Sequence, residues 1–366
     1  MEFIPLRQWG FSFPDQGPII ISGPCSAETE EQVRLSCRGA AQQGAAILRA
    51  GIWKPRTRPD SFEGVGSIGL PWIKAAGRAN GLPVTVEVAN SRHVEAALQH
   101  NIDILWVGAR TTVNPFTVQE IANALQGQDI PVLIKNPVNP DLDLWIGAIE
   151  RFHRAGLRKL AVIHRGFSVT RSAPYRNQPL WELPIELRRR YPQLEIICDP
   201  SHIAGRRDLL RPLSQKALDL AFDGLMIESH INPEVALSDA QQQVTPEALG
   251  KLLRSLIQRQ PVNDNPDFIA NLEALRVDID SLDQEVIQLL AKRMEVVQEI
   301  GKYKRQNGVT ILQMNRWARL FDQRVKATMS AGLSGQFAQD LIQSIHNESI
   351  RQQEKVMNQD ESKLNA

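Results

Sequence analysis

The sequence predicts an α/β protein: a (β/α)8 TIM barrel, followed by an all-α three-helix domain that pairs as a helical dimer. Three observations carry this expectation. Eight short β-rich runs alternate with amphipathic helical stretches through the front of the chain. Proline ends at Pro266, and the hundred residues beyond hold only Gly301, Gly308, Gly332 and Gly335. An apolar seam of 3-then-4 spacing begins just past that point, as on a long packed helix.

The eight runs lie at 19–25, 45–52, 83–89, 103–109, 131–136, 159–164, 195–199 and 224–228. They are continuously apolar rather than alternating, which marks strands covered on both faces and so a parallel sheet. Helical patterns fall between them, at 28–43, 91–100, 140–155 and 205–221. Eight such units in about 250 residues fit a closed barrel, and a doubly wound sheet is the alternative. The polar stretch 258–267, with Pro261 and Pro266, reads as a linker between a barrel at 1–257 and a helical domain at 268–358. Residues 359–366 are expected to be a disordered tail.

The first helix of the back half is expected over 267–306. Its seam is Leu272, Leu275, Ile279, Leu282, Val286, Leu289, Val297 and Ile300. Such a helix spans about 60 Å, more than a hundred-residue domain can cover, so a partner copy is expected against it. Shorter helices follow near 312–330 and 334–358.

Composition excludes several function classes. Lys+Arg 42 against Asp+Glu 41 leaves a net charge of +1, which supports neither a nucleic-acid nor a membrane-surface partner. No apolar run approaches the ~18 residues of a membrane helix, and the start lacks a signal-peptide layout. The three cysteines, Cys25, Cys37 and Cys198, are too few for a disulfide framework and point to a reducing compartment, so the protein is expected in the cytoplasm.

The active face of a TIM barrel lies at the carboxyl ends of its strands. Here those ends carry reactive groups. Cys25, His202, Glu228 and Asp239 could converge on one ion. A thiolate, an imidazole and two carboxylates suit a divalent first-row metal such as Mn, Fe, Co or Zn better than Mg. Each alone has an ordinary reading, as a small buried residue, a strand-end carboxylate or a turn residue. A second set is cationic: Arg49, Lys54, Arg56, Arg110, Lys135 and Arg165. Cations placed after apolar strands point into the rim, and so many there predict a small substrate with several negative charges, such as a phosphorylated acid.

These residues sit in GPCS (23–26), LRAGIWKPRT (48–57), GAR (108–110), HRG (164–166), DPSH (199–202), DGLMIESH (223–230) and SDAQQQ (238–243). Over roughly 15–255 the sequence resembles the I-beta class of 3-deoxy-D-arabino-heptulosonate 7-phosphate (DAHP) synthases. The resemblance implies condensation of phosphoenolpyruvate with erythrose 4-phosphate. It gives the metal to Cys25, His202, Glu228 and Asp239, and the phosphoenolpyruvate phosphate to Arg110, Lys135 and Arg165. Arg49 and Lys54 would stand near the carboxylate. Lys54, Pro55, Arg56 and Thr57 would receive the sugar phosphate, with Lys54 as a proton donor. Ala50, Arg58-Pro59 and Asn136-Pro137 depart from the family pattern and bear on fine substrate contacts. The related octulosonate-phosphate synthases replace Pro-Arg-Thr, so the intact Lys54-Pro-Arg-Thr57 favours the four-carbon sugar.

In the back half, Arg293 and Lys304 share a helix face. Eleven residues turn through about 1100°, some 20° past three full turns, and rise about 16 Å. Arg276 lies about 100° away in rotation and could serve a partner's site. Ser349 and Gln353 are i,i+4 neighbours. The pattern alone favours a regulatory or dimerising hairpin with snorkelling cations, a reading that the family resemblance reverses. Residues 268–355, with LRVDIDSLD, LLAKRMEVVQEIGKYK, ILQMNR and IHNESIRQQ, resemble the all-helical chorismate mutases. That implies rearrangement of chorismate to prephenate without a metal. Arg293 and a partner's Arg276 would hold the carboxylates, Lys304 and Gln353 the ether oxygen, and Arg316 and Ser349 would complete the pocket. Some relatives carry carboxylates where Gln313 and Trp317 stand. Fusions of the two families also resemble feedback devices in which prephenate inhibits the synthase.

Overall fold

The structure, a computed structural model, describes residues 1–54, 62–169, 174–260 and 262–358. Pro55, Arg56, Thr57 and the tail 359–366 lie outside the described residues. The chain divides into two compact units, Met1–Pro261 and Val262–Ala366.

The first unit is a closed parallel barrel of eight strands in sequence order. The strands are β1 (Ile19–Gly23), β2 (Ile47–Arg49), β3 (Val84–Val88), β4 (Ile104–Val107), β5 (Val132–Lys135), β6 (Leu160–His164), β7 (Ile196–Cys198) and β8 (Gly224–Glu228). Each expected run holds one of them. Closure of β1 on β8, with Ile19 beside Gly224 and Gly23 beside Glu228, excludes the doubly wound alternative.

Alternation along the strands separates two cores. Ile20, Leu48, Val86, Leu105, Ile134, Val162, Ile196 and Leu225 pack outward beneath the helices. Ile19, Ile21, Ile47, Trp106, Leu133, Ile163, Ile197 and Met226 form a separate cluster that draws on strands rather than helices, which places it in the barrel lumen. Leu6 and Trp9 join this cluster from the N-terminal segment. Trp9 Nε1 donates to the Ile4 carbonyl (2.8 Å), Ile4 N to the Arg158 carbonyl (2.9 Å), and Leu6 N to the Glu195 carboxylate. Residues 1–18 therefore include a plug for the floor of the barrel. One further step up the lumen, the inward positions become polar: Arg49, Glu87, Lys135, Asp199 and Glu228.

The second unit has three helices, Pro266–Gln306, Met314–Ser330 and Gly335–Met357. Asn265 starts the first by accepting from Asp267 N and Phe268 N, with Pro266 at the position where no amide donor is needed. Val325, Ala338 and Ile342 form a small core with Trp317 and Phe321. Most of the long helix's seam stays uncovered within one chain: Leu275 is 61%, Leu282 59% and Leu289 65% exposed. No helix among the described residues is long and apolar enough to cross a membrane.

Candidate active site

The lumen's polar rim carries the donor cluster. β1 delivers Cys25 just past its end, β8 delivers Glu228, and the loop after β8 delivers Asp239. Gly23 allows this convergence, because at φ +148° a Cβ would lie 2.1 Å from the Arg49 carbonyl oxygen. One donor atom from each of Cys25, Glu228 and Asp239 lies within 4.8 Å of the others. Cys25 Sγ is 3.5 Å from Asp239 Oδ2. Glu228 is fully buried, and its Oε1 accepts no hydrogen bond among the described residues. Such a carboxylate oxygen beside a thiol and a second carboxylate fits a cation site.

His202 stands outside that mutual set but next to it, with Nε2 3.7 Å from Glu228 Oε1. Its ring is fixed from behind. Asp199 caps the short helix Pro200–Ala204 by accepting from His202 N at 3.0 Å, and its Oδ2 lies 2.7 Å from His202 Nδ1. A carboxylate on Nδ1 leaves Nε2 to act as a ligand. Burial lowers the imidazole below its ordinary range. Burial alone would raise the Asp199 carboxyl, but His202 and Lys135 outweigh it and hold the carboxyl well below its usual value. Burial, then Glu228, pushes the Cys25 thiol up to about 12. Binding of a cation there must expel that proton.

The cations surround this cluster. Arg49 is 1% exposed, with Nη1 3.2 Å from Glu228 Oε1, Nη2 donating to the Cys25 carbonyl (3.2 Å), and its guanidinium over the Trp106 ring. Its Nε has no acceptor among the described residues. Lys54 Nζ donates to Cys25 Sγ at 3.0 Å. A neighbouring cavity of about 400 Å³ is lined by Arg110, Lys135, Arg165, Arg176, Asn177 and Glu87, among others. Lys135 Nζ bonds Asp199 Oδ2 at 2.8 Å. Burial, opposed by Asp199 and reinforced by Arg176 and Arg110, lowers Arg165 to about 10. A half-buried guanidinium among its own kind is a site that an anion would stabilise. His202 lines the same cavity, so donor cluster and cation cavity adjoin.

In the helical unit, Arg293 Nη1 donates to Ser349 Oγ at 2.7 Å. Gln353, four residues on, is buried, and its Oε1 has no partner among the described residues. Lys304 Nζ donates to the Ile311 carbonyl. Burial, then Arg324, lowers Arg293; burial, then Arg316, lowers Lys304. Among the described residues none of these four cations pairs with a carboxylate. Trp317 stacks on His346 at 3.5 Å between ring centroids. Arg276 stays outside the group, exposed and paired with Glu273 at 3.4 Å.

The profile described as "DAHP synthetase I family" matches residues 13–262. The chain belongs to that family. A second profile, "Chorismate mutase type II", matches residues 275–354, so the DAHP synthetase barrel is followed by a chorismate mutase type II domain. The chain is 32% identical over 237 residues to a phospho-2-dehydro-3-deoxyheptonate aldolase of Thermotoga maritima, covering 65% of this chain and 68% of that one. The crystal structure of the Thermotoga maritima aldolase (DAHP synthase) matches with a TM-score of 0.59 and 30% identity, over 65% of this chain and 67% of that one. The tail resembles the T-protein of Haemophilus influenzae, 36% identical over 101 residues, which cover 26% of this chain and 27% of that protein.

Sequence reasoning on this DAHP synthetase domain overlooked Arg176 and Asn177. Neither comes directly after a strand run, and an Arg-Asn pair in a long polar loop looks like ordinary surface. It also named Asp199 only as a strand end, although Asp before Pro is a helix-start signal that fixes its side chain. In the chorismate mutase type II domain it overlooked Arg324 and His346. Arg324 is seven residues beyond Trp317, about two turns along the same face.

Proposed function

We propose that the barrel condenses phosphoenolpyruvate with erythrose 4-phosphate to DAHP and phosphate, and that the helical unit converts chorismate to prephenate. The observation that carries the first half is the adjoining of a thiol–carboxylate cluster and a cation cavity at one end of the lumen. Arg110, Lys135 and Arg165 would hold the phosphate of phosphoenolpyruvate. Arg49, whose Nε has no acceptor among the described residues, and Lys54 would face the carboxylate. Lys54, Pro55, Arg56 and Thr57 would receive the sugar phosphate. Held this way, carbon 3 of phosphoenolpyruvate attacks the aldehyde, water adds at carbon 2, and phosphate leaves. Lys54 would protonate the new alkoxide. Cys25, His202, Glu228 and Asp239 would hold a divalent Mn, Fe, Co or Zn ion, which when bound polarises the aldehyde as a Lewis acid.

In the helical unit, Arg293 with a partner's Arg276 would hold the two carboxylates. Lys304 and Gln353 would stabilise charge on the breaking ether oxygen, with Arg316 and Ser349 closing the pocket. Four cations with no carboxylate partner among the described residues support a dianionic ligand. This reading makes the protein a homodimer, or a larger assembly, through the helical unit, working in the cytoplasm and inhibited by prephenate. A second reading keeps the synthase and makes the tail a non-catalytic sensor. Gln313 and the Trp317–His346 stack favour it, since neither position offers a carboxylate to a substrate hydroxyl.

Two assays test these readings. Turnover of the full chain on erythrose 4-phosphate should exceed that on arabinose 5-phosphate; the reverse preference overturns the sugar assignment. Chorismate consumption should be lost in Arg293→Ala. If wild type consumes none, the tail is the sensor.

A further inference from the structure

Arg176 occupies a position that neither the sequence patterns nor the family match assigns. Its Nη1 donates both to Asp239 Oδ1 (3.0 Å) and to Gln242 Oε1 (2.7 Å). Gln242 Nε2 in turn donates to Glu228 Oε2 at 2.7 Å. One guanidinium thus fixes an oxygen of each carboxylate in the donor cluster, one directly and one through Gln242. The opposite oxygens face the centre: Asp239 Oδ2 faces Cys25 Sγ at 3.5 Å, and Glu228 Oε1 accepts no hydrogen bond among the described residues, with Arg49 Nη1 3.2 Å away as its ion-pair partner. Asp239 needs such a restraint, because its backbone is left-handed at φ +48°.

The same side chain also lines the cation cavity beside Arg110, Lys135 and Arg165. Its neighbour Asn177 accepts from Arg165 Nη1 at 2.8 Å. The Arg176 stem is seated on Gly205, where a Cβ would come within 2.5 Å of the Arg176 Cβ. Gly205, at φ +68°, ends the helix that carries His202. The guanidinium therefore stands at the boundary between the donor cluster and the anion cavity, bonded to the first and facing the second.

We infer that Arg176 is a positioning residue that couples the two halves of the barrel site, so that divalent-cation affinity and phosphorylated-anion affinity depend on each other. The physical route is charge sharing. Without an anion, the Arg176 charge is directed at Asp239 and opposes a cation there. An anion in the cavity draws on that charge and frees Asp239 for the cation, while the hydrogen bond keeps the carboxylate aimed. This inference rests on the proposed metal- and phosphate-binding reading of the barrel.

The test is a titration of the metal-free full chain with Co(II), following the thiolate-to-cobalt charge-transfer band, with and without saturating phosphoenolpyruvate. In wild type the anion should tighten Co(II) binding at least about fivefold, the lower end of ordinary coupling between sites. In Arg176→Gln, which keeps the stem on Gly205, the ratio should fall to about one. Arg176→Ala gives the same readout without the side-chain amide, and circular dichroism melting checks that each variant is folded. A variant that keeps the wild-type ratio overturns the inference, as does a wild-type ratio of one. Absence of the charge-transfer band in wild type would overturn the metal reading of Cys25 itself, and the coupling with it.

Discussion

Asp199 illustrates how one residue serves several neighbours at once: it caps a helix, fixes His202 Nδ1 and neutralises Lys135. Replacing it with Asn keeps the cap acceptor but weakens the hold on His202 and Lys135. Asp199→Asn should therefore weaken Co(II) binding by about 10–100-fold, as read from the charge-transfer titration, with helix content unchanged. His164, one position from the inward Arg165, faces the other way into a ring cluster with Phe167, Trp181 and Phe222. Burial, then Arg165, lowers its ionisation from 6.5 to about 3. The unfolded chain takes up this proton first, so the stabilisation is complete above pH ~6.5 and is lost as pH falls toward ~3, at up to about 1.4 kcal/mol per unit. Denaturant unfolding at pH 7, 6 and 5 should be steeper in pH for wild type than for His164→Gln; equal slopes would remove His164 from the account. At this scale the sequence makes legible the side chains set at or just past a strand's end, as with Cys25, Lys135 and Glu228. Arg176 was not legible, because its place depends on where a long loop returns over the rim.

Strands and their ends form the next level. Eight apolar runs sufficed for the barrel because each strand is buried on both faces and its polar residues begin where it stops. Helix limits were less legible: the pattern at 28–43 narrows to Glu30–Gln42 because Thr29 leaves the helix to accept from Gln32 N. The sequence offered a cap on the barrel floor only as an open role for residues 1–18, since Leu6 and Trp9 belong to no periodic run and gain meaning only when the lumen closes. Trp9 is 3% exposed within the lumen cluster. Trp9→Ala should cost about 3–5 kcal/mol in denaturant unfolding of the barrel, the ordinary loss for a buried aromatic ring. A cost below ~1 kcal/mol would mean that the floor is closed by something other than the plug.

For the molecule as a whole, the change in proline and glycine usage at 266 coincides with a change of architecture, from a barrel to three helices. What the front unit must do is contained in its own lumen. The back unit leaves Leu275, Leu282 and Leu289 in water, which supports the second copy proposed for it. Leu282→Glu should turn a dimer into a monomer in size-exclusion chromatography with light scattering, with the synthase rate per chain retained. A wild-type monomer at micromolar concentration would refute the pairing.

That wet seam has a kinetic consequence. If a neighbour's Arg276 completes each helical pocket, then one member of a catalytic centre arrives by diffusion, and the pocket is assembled by mass action. Specific mutase activity would then depend on how much enzyme is in the tube. Dilution toward the dissociation constant would silence one reaction and leave the other proceeding at its usual rate per barrel, so a single chain would shift its ratio of two products with its own abundance.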